Sequence, residues 1–176
     1  MKKSILITGV AGSGKSTICK ELKRKKYKAY DIENMKGLFK MVDEKTGKTF
    51  RKYDDDDFEK VKRAKWMCNA KKLKDLIKRK NKTPVFCCGI ASNIDEILPF
   101  FDMTILLRAS PRVLRERLSH RRRGNFGRTK EVQEWMLSWK GWIENEMKKK
   151  GAIVINANRR PKEVAKKIIK ITSAKN

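Results

Sequence analysis

Histidine is nearly missing from this chain, with His120 alone among 176 residues. Cysteine is sparse too: Cys19, Cys68, Cys87 and Cys88 form no CxxC pair and have no histidine neighbours, so neither a zinc site nor a disulfide framework is spelled out. Cys87 and Cys88 sit inside an apolar run and read as buried strand thiols. His120, at a basic helix end, reads as a partner of the helix dipole rather than a catalyst. No apolar run approaches the length of a membrane span, and Met1-Lys2-Lys3 leads into a short strand rather than a signal-peptide core, so the expectation is a cytoplasmic protein with no membrane partner. Neither an internal repeat nor a low-complexity linker is present, and the length suits a single domain over 1–176. Acidic residues are outnumbered by basic ones: 20 Asp and Glu face 46 Lys and Arg, a formal net charge of +26. Such a field attracts phosphorylated small molecules and nucleic acid alike, and lysines spread over solvated helix faces produce the same number.

Against this background one segment is specific. Residues Gly9 to Ser16 read GVAGSGKS directly after the apolar Ile5-Leu6-Ile7-Thr8, a complete GxxxxGKS loop between a strand and a helix. Glycines let successive backbone N–H groups of Gly9, Val10, Ala11, Gly12, Ser13 and Gly14 turn inward around a polyphosphate, and the next helix aims its positive dipole end at the same anion. Lys15 can reach the outer phosphates, the Ser16 hydroxyl is placed to ligate Mg²⁺, and Thr17 stands at the helix start. A nucleotide polyphosphate with Mg²⁺ is therefore expected.

Strands and helices alternate along the chain. Strands are expected at Ser4 to Thr8, Lys28 to Tyr30 ending at Asp31, Pro84 to Cys88, Met103 to Leu107 and Ala152 to Ile155. Helices are expected from Ser16 to Lys25, through Ile97, from the Ser110-Pro111 start to His120, from the Thr129 cap to Lys149, and from Pro161 to Ile171. Glu33 to Phe39 reads as one or two helical turns, Val42 to Tyr53 as a polar mobile segment with turn chemistry at Lys45 to Lys48, and Phe58 to Lys80 as one long amphipathic helix. The fold class is α/β: a three-layer αβα sheet of five parallel strands whose binding crevice lies at the carboxyl ends. A helical acceptor region over about 36–80 and a short Arg-rich lid over about 121–130 complete it.

Asp31 emerges at that edge, with Glu33 just beyond. Its carboxylate suits a magnesium water or the proton of an attacking hydroxyl, and a helix N-cap is the plainer alternative. Val85 to Ile90 offers no acidic residue before Asp95, which disfavours motor and GTPase machinery and moves the outer magnesium role to Asp31. Ser92 and Asn93 either hydrogen-bond a substrate or cap the helix that follows. Arg121, Arg122, Arg123 and Arg128 lie among glycines on a flap that either closes over phosphates and excludes water or is a solvated basic turn or nucleic-acid patch. Asp54 to Asp57 precedes a helix, and capping accounts for most of it; Trp135, Trp139 and Trp142 share a helical face that reads as core.

With these pieces assembled, the chain resembles the small P-loop kinases of the nucleoside monophosphate, shikimate and gluconate kinase type over nearly its whole length. The likeness is carried by GVAGSGKS and by Leu118 to Arg128; FCCGIASN from Phe86 to Asn93, Arg108 to Pro111 and RGNFGRT from Arg123 to Thr129 look like a bacterial and archaeal subset described as ATP-binding. The resemblance implies that Asp31 is the carboxylate near Mg²⁺ and the acceptor, that Arg121 and Arg128 are flap arginines, and that Asn156 to Arg160, with Asn156 and Arg159, holds the adenine. No shikimate-type arginine set stands near Glu33 and no DGFPR-like element follows the third strand, so Lys36 to Lys80 has no assigned ligand. The expected activity is transfer of the ATP γ-phosphoryl group, through Lys15, Asp31, Arg121 and Arg128, to a small-molecule hydroxyl or phosphate acceptor such as a nucleotide, nucleoside or shikimate-like compound. A polynucleotide 5′-hydroxyl kinase or nucleic-acid-associated ATPase, and a non-enzymatic nucleotide switch, are the alternatives.

Overall fold

The computed structural model describes residues 3–78 and 83–173. Its chain order is β1 (Ser4–Thr8), α1 (Lys15–Arg24), β2 (Lys28–Asp31), a 3-10 turn (Ile32–Asn34), β3 (Phe39–Asp43), α2 (Phe58–Arg63), β4 (Ala64–Cys68), α3 (Ala70–Lys78), β5 (Val85–Cys88), α4 (Ile94–Ile97), a second 3-10 turn (Leu98–Phe100), β6 (Met103–Arg108), α5 (Pro111–Ser119), α6 (Lys130–Lys149), β7 (Ile153–Asn156) and α7 (Pro161–Ser173). The main sheet has five parallel strands in the order β2-β5-β1-β6-β7.

Side chains alternate across a strand, so each central strand feeds two cores, and that is why Ile5 to Ile7, Val85 to Cys88 and Ile105 to Leu107 are apolar at consecutive positions. Ile5, Ile7, Phe86, Cys88, Ile105 and Leu107 join Ile18, Leu22, Leu114, Leu118 and Ile168 on one face. Leu6, Val85 and Cys87 join Ile32, Leu73, Leu76, Ile77 and Ile97 on the other. The helix α6 serves both sides of the sheet, placing Met136 in the first cluster and Met147 beside Leu106 and Ala152 in a third. The result is the expected three-layer αβα sandwich. Among the described residues no helix is long and apolar enough to cross a membrane.

The helix expected from Phe58 to Lys80 is not continuous. It breaks at Ala64, whose ψ of 131° is extended, and the chain runs as β4 before α3 begins, with Asn69 Oδ1 accepting the Lys72 N–H at 3.0 Å; Arg79 and Lys80 lie outside the described residues. The partner that decides this is β3, paired antiparallel with β4 from Phe39 opposite Cys68 to Asp43 opposite Ala64. Phe39 and Trp66 stack with ring centroids 5.0 Å apart. Pairing with a remote strand outweighed a helical spacing that both conformations accommodate. The helical turns expected over Glu33 to Phe39 reduce to the short 3-10 turn, and the polar segment after Val42 is a tight turn in which Gly47 donates to the Asp43 carbonyl at 2.8 Å. The described part of 36–80 is thus a small two-stranded sheet with two short helices rather than a helical unit.

Ser92 and Asn93 fix that sheet to the main one. Ser92 Oγ accepts the Trp66 N–H at 2.9 Å and the Ser92 N–H donates to the Trp66 carbonyl at 2.8 Å. Asn93 Oδ1 accepts the Cys68 N–H at 2.9 Å while its Nδ2 donates to the Cys68 carbonyl at 3.0 Å. Neither side chain caps α4; both bond to the β4 backbone, and Asn93 Nδ2 also donates to Glu96 Oε2 at 2.6 Å. On α6, Trp135 and Trp139 pack edge to face at 5.5 Å and Trp135 meets Phe58 at 6.4 Å, whereas Trp142 is 67% exposed and leaves the expected core stripe.

Candidate active site

The loop between β1 and α1 depends on backbone that only glycine adopts without strain. Gly9 has φ +149°, and a Cβ there would lie 2.6 Å from the Leu107 carbonyl oxygen and 2.7 Å from Ser13 Oγ. Gly14, at φ +102°, precedes α1, whose first turn carries no acidic residue and no side-chain cap. The opening N–H groups of α1 therefore face the loop's concavity with the dipole behind them, an arrangement that selects an anion. A cavity of about 330 Å³ opens there, walled by Gly12 to Ile18, Glu33, Arg117, Arg121, Ala157, Arg159, Pro161 and Val164.

Lys15 is 7% exposed and its Nζ donates to the Gly9 carbonyl at 2.9 Å and the Val10 carbonyl at 3.4 Å. It also lies 3.6 Å from Glu33 Oε1, which in turn accepts the Ile90 N–H at 2.6 Å. Glu33 reaches this position because the 3-10 turn after β2 folds over the end of β5, where Gly89 leaves room: a Cβ on Gly89 would sit 2.5 Å from Ile32 Cγ1 and 3.2 Å from Glu33 Cγ. Sequence reasoning passed over Glu33 in favour of Asp31, yet Glu33 is the carboxylate on the cavity wall. Its signal was the spacing Asp31-Ile32-Glu33 with an intervening residue buried as core.

Asp31 ends β2 in register with Cys88, which is itself in register with Ile7 of β1, so the three stand in a row on the carboxyl edge. Its Oδ2 accepts from Asn34 Nδ2 at 3.0 Å, and it caps no backbone N–H of the turn that follows. Oδ1 is buried with no hydrogen-bond partner among the described residues. A buried carboxylate oxygen at this edge is the type of donor that a hydrated Mg²⁺ takes, since that ion uses one or two protein oxygens together with phosphates and water. No cluster of three or more His, Cys, Asp or Glu suited to a metal ion occurs among the described residues, so Ser16 and Asp31 would hold Mg²⁺ only together with the phosphates.

Two arginines of the α5 end face the cavity. Arg117 Nη1 donates to the carbonyls of Gly12 at 3.2 Å and Ser13 at 3.4 Å, and its Nη2 to the Ala157 carbonyl at 2.8 Å, so it ties the phosphate loop to the chain after β7. That chain is held in turn by Ser110, whose N–H donates to Asn158 Oδ1 at 2.9 Å. Arg121, two residues past the end of α5, donates to the Phe126 carbonyl. Burial pulls both guanidiniums below the usual arginine range, opposed at Arg121 by Glu33 and Asp55 and at Arg117 by Glu116. Arg117 escaped sequence reasoning because it looked like one more helix-face charge; its place four residues before Arg121, on the same face, was the available clue.

Arg128 is not brought to the cavity. Its Nε and Nη2 fork onto Asp56 Oδ1 and Oδ2 at 3.1 and 2.8 Å, and Arg123 lies 4.0 Å from the same carboxylate. The acidic block does cap α2, through Asp57 and the Lys60 N–H at 3.1 Å, but Asp56 is turned to the arginines. The Arg128 guanidinium holds Asp56 below the usual carboxylate range, while burial pushes Asp55 up against its hydrogen bond from Tyr53. Asn156 is likewise absent from the wall: its Oδ1 accepts the Asn158 N–H at 2.9 Å and shapes the turn from which Arg159 reaches the cavity. Gly9, Val10 and Ala11 shape the loop behind the wall formed by Gly12, Ser13, Gly14, Lys15, Ser16 and Thr17.

A family model described as an AAA domain matches residues 5–136. No curated protein matches the chain. Among solved structures, the shikimate kinase from Acinetobacter baumannii in complex with shikimate superposes with a TM-score of 0.62 at 20% identity, covering 99% of this chain and 96% of that one. The deoxyadenosine kinase from M. mycoides with bound dATP gives 0.56 at 17% identity over 97% and 99% of the two chains. The shikimate kinase from Aquifex aeolicus gives 0.53 at 16% identity over 97% and 96%. What is common to these chains at such identities is the fold, that of the small P-loop kinases, across almost the full length of each.

Proposed function

The chain belongs to the AAA domain family, and on that premise we propose that it is an ATP-dependent phosphotransferase, moving the γ-phosphoryl group to a small-molecule hydroxyl or phosphate acceptor. The observation that carries this reading is the convergence of Lys15, Glu33 and Arg121 on one cavity at the mouth of the phosphate loop. A loop alone fits a switch or a motor; a carboxylate opposite the loop lysine, with an arginine beside it, supplies groups for both the donor and the acceptor.

In this reading the N–H groups of Gly12 to Ser16 and the Lys15 ammonium bind the β and γ phosphates, with Lys15 exchanging the Gly9 and Val10 carbonyls for phosphate oxygens. Arg121 meets the charge on the transferred group, and its segment sheds water from the site. Glu33, held by the Ile90 N–H, accepts the proton of the acceptor hydroxyl. The base lies between Arg117 and Pro161, beside Arg159. Ser16 and Asp31 hold Mg²⁺, which when bound neutralises phosphate charge. We infer that the protein works in the cytoplasm, a compartment that supplies both ATP and Mg²⁺.

The test is label transfer from γ-labelled ATP with Mg²⁺ across nucleosides, nucleoside monophosphates, shikimate, gluconate and 5′-hydroxyl oligonucleotides. We expect one small acceptor to take the label, and Lys15→Ala to abolish transfer. Hydrolysis of ATP with every acceptor unlabelled overturns the reading, and labelling of the oligonucleotide alone moves it to a polynucleotide kinase, the alternative that the charge of +26 favours.

A further inference from the structure

We propose that the acidic turn of the β3–β4 insertion is the seat of the Arg-rich segment, and that Asp56 is a positioning residue that sets where Arg121 stands over the phosphate loop. The contacts form a short mechanical path. Asp56 takes the Arg128 guanidinium in a fork, which fixes direction as well as distance. Arg128 stands two residues from Phe126, whose carbonyl receives the Arg121 guanidinium. The backbone between cannot drift, because Gly127 lies against Leu118, where an added Cβ would be 3.0 Å from Cδ2, and Gln133 Nε2 donates to the Arg128 carbonyl at 3.2 Å.

The seat itself is firm. The Asp56 N–H donates to Asp54 Oδ1 at 2.9 Å, Asp57 caps α2, and Phe58 packs on Trp135 of α6. Although 72 residues separate Asp56 from Arg128, the carboxylate side chain is 14% exposed and Arg123 reinforces it. Beyond the fork, Asp55 and Glu33 are the carboxylates whose charges act on Arg121, so opposite charges alternate from Lys15 through Glu33 and Arg121 to Asp55. A shift of the insertion is thereby passed to the arginine that faces the phosphates, which links the acceptor side of the cavity to the donor side.

The functional arm of this proposal rests on the nucleotide reading given above. Affinity for the Mg²⁺ complex of adenylyl imidodiphosphate is measured for the wild type, Asp56→Asn, Arg121→Ala and the double variant. Asp56→Asn is expected to weaken binding about fivefold and Arg121→Ala about twentyfold, and the double variant to be no weaker than Arg121→Ala, because Asp56 acts through Arg121. Tryptic cleavage at Arg121 to Arg123 is followed in parallel without nucleotide. Asp56→Asn should speed it several-fold, and the reversed pair Asp56→Arg with Arg128→Asp should restore the wild-type rate. Additive losses of affinity, or cleavage unchanged in Asp56→Asn, overturn the proposal. A wild type that fails to bind the analogue overturns the nucleotide reading instead, and the proteolysis arm then decides whether Asp56 seats the segment.

Discussion

The Lys15 ammonium lies 3.6 Å from Glu33 Oε1, an oxygen that simultaneously accepts the Ile90 N–H at 2.6 Å. One atom therefore joins the phosphate loop, the turn after β2 and the loop after β5. In Glu33→Gln the side-chain oxygen still accepts from Ile90, while the charge that faces Lys15 and that could accept a proton is gone. Transfer to the acceptor should fall about 100-fold, the range of a lost general base, while affinity for the nucleotide stays within about threefold of wild type. Single-turnover transfer and equilibrium nucleotide titration of one preparation separate the two quantities, and an equal loss in both would make Glu33 a nucleotide ligand rather than a base.

Gly89→Ala tests the close approach that brings Glu33 to the cavity. The new Cβ would lie 2.5 Å from Ile32 Cγ1, inside a core where Ile32 is fully buried, so Ile32 and its turn must move. A loss of roughly 1–3 kcal/mol in folding stability is expected from such overpacking, with a fall in transfer larger than the fall in nucleotide binding. Chemical denaturation and the transfer assay read the two effects.

Burial pushes the Cys87 thiol up to about 12 from 9.0, so the folded protein keeps it protonated where the unfolded chain ionises it. The unfolded state releases its proton first as pH rises; the contribution is whole below pH 9 and is lost between 9 and about 12. Denaturation midpoints should therefore fall above pH 9 with a Cys87 share of about 1 kcal/mol per pH unit. Cys87→Ala shifts stability at every pH by its cavity but should flatten the slope, and an unchanged slope assigns the alkaline loss to other groups.

The parts legible in the sequence are those written locally. GVAGSGKS specifies its own turn, the Ser110 and Thr129 hydroxyls cap α5 and α6 by accepting the Val113 and Val132 N–H groups, and a strand with consecutive apolar residues such as Ile5-Leu6-Ile7 fits between two layers. The two-stranded sheet was not legible, because Ala64 to Cys68 becomes a strand through β3 and through Ser92 and Asn93, which stand some 25 residues further along the chain. The division of labour among the arginines was hidden for the same reason. Composition shows a cluster from Arg121 to Arg128, but only the fold reveals that Asp56 answers Arg128, that Arg121 remains at the cavity, and that Arg117 joins it.

The two-stranded sheet meets the five-stranded one through Ser92 and Asn93, whose side chains and one backbone N–H bond to β4, and through Leu38 and Cys68 in a shared core, with no strand-to-strand ladder between them among the described residues. A ladder would make the two open together; without one, the smaller sheet is expected to open at a lower free energy than the parallel frame. Amide hydrogens of β3 and β4 then exchange with solvent on a schedule separate from those of β1 and β5. The β3–β4 insertion is thus the part expected to loosen first, and with it the hold of Asp56 on Arg128.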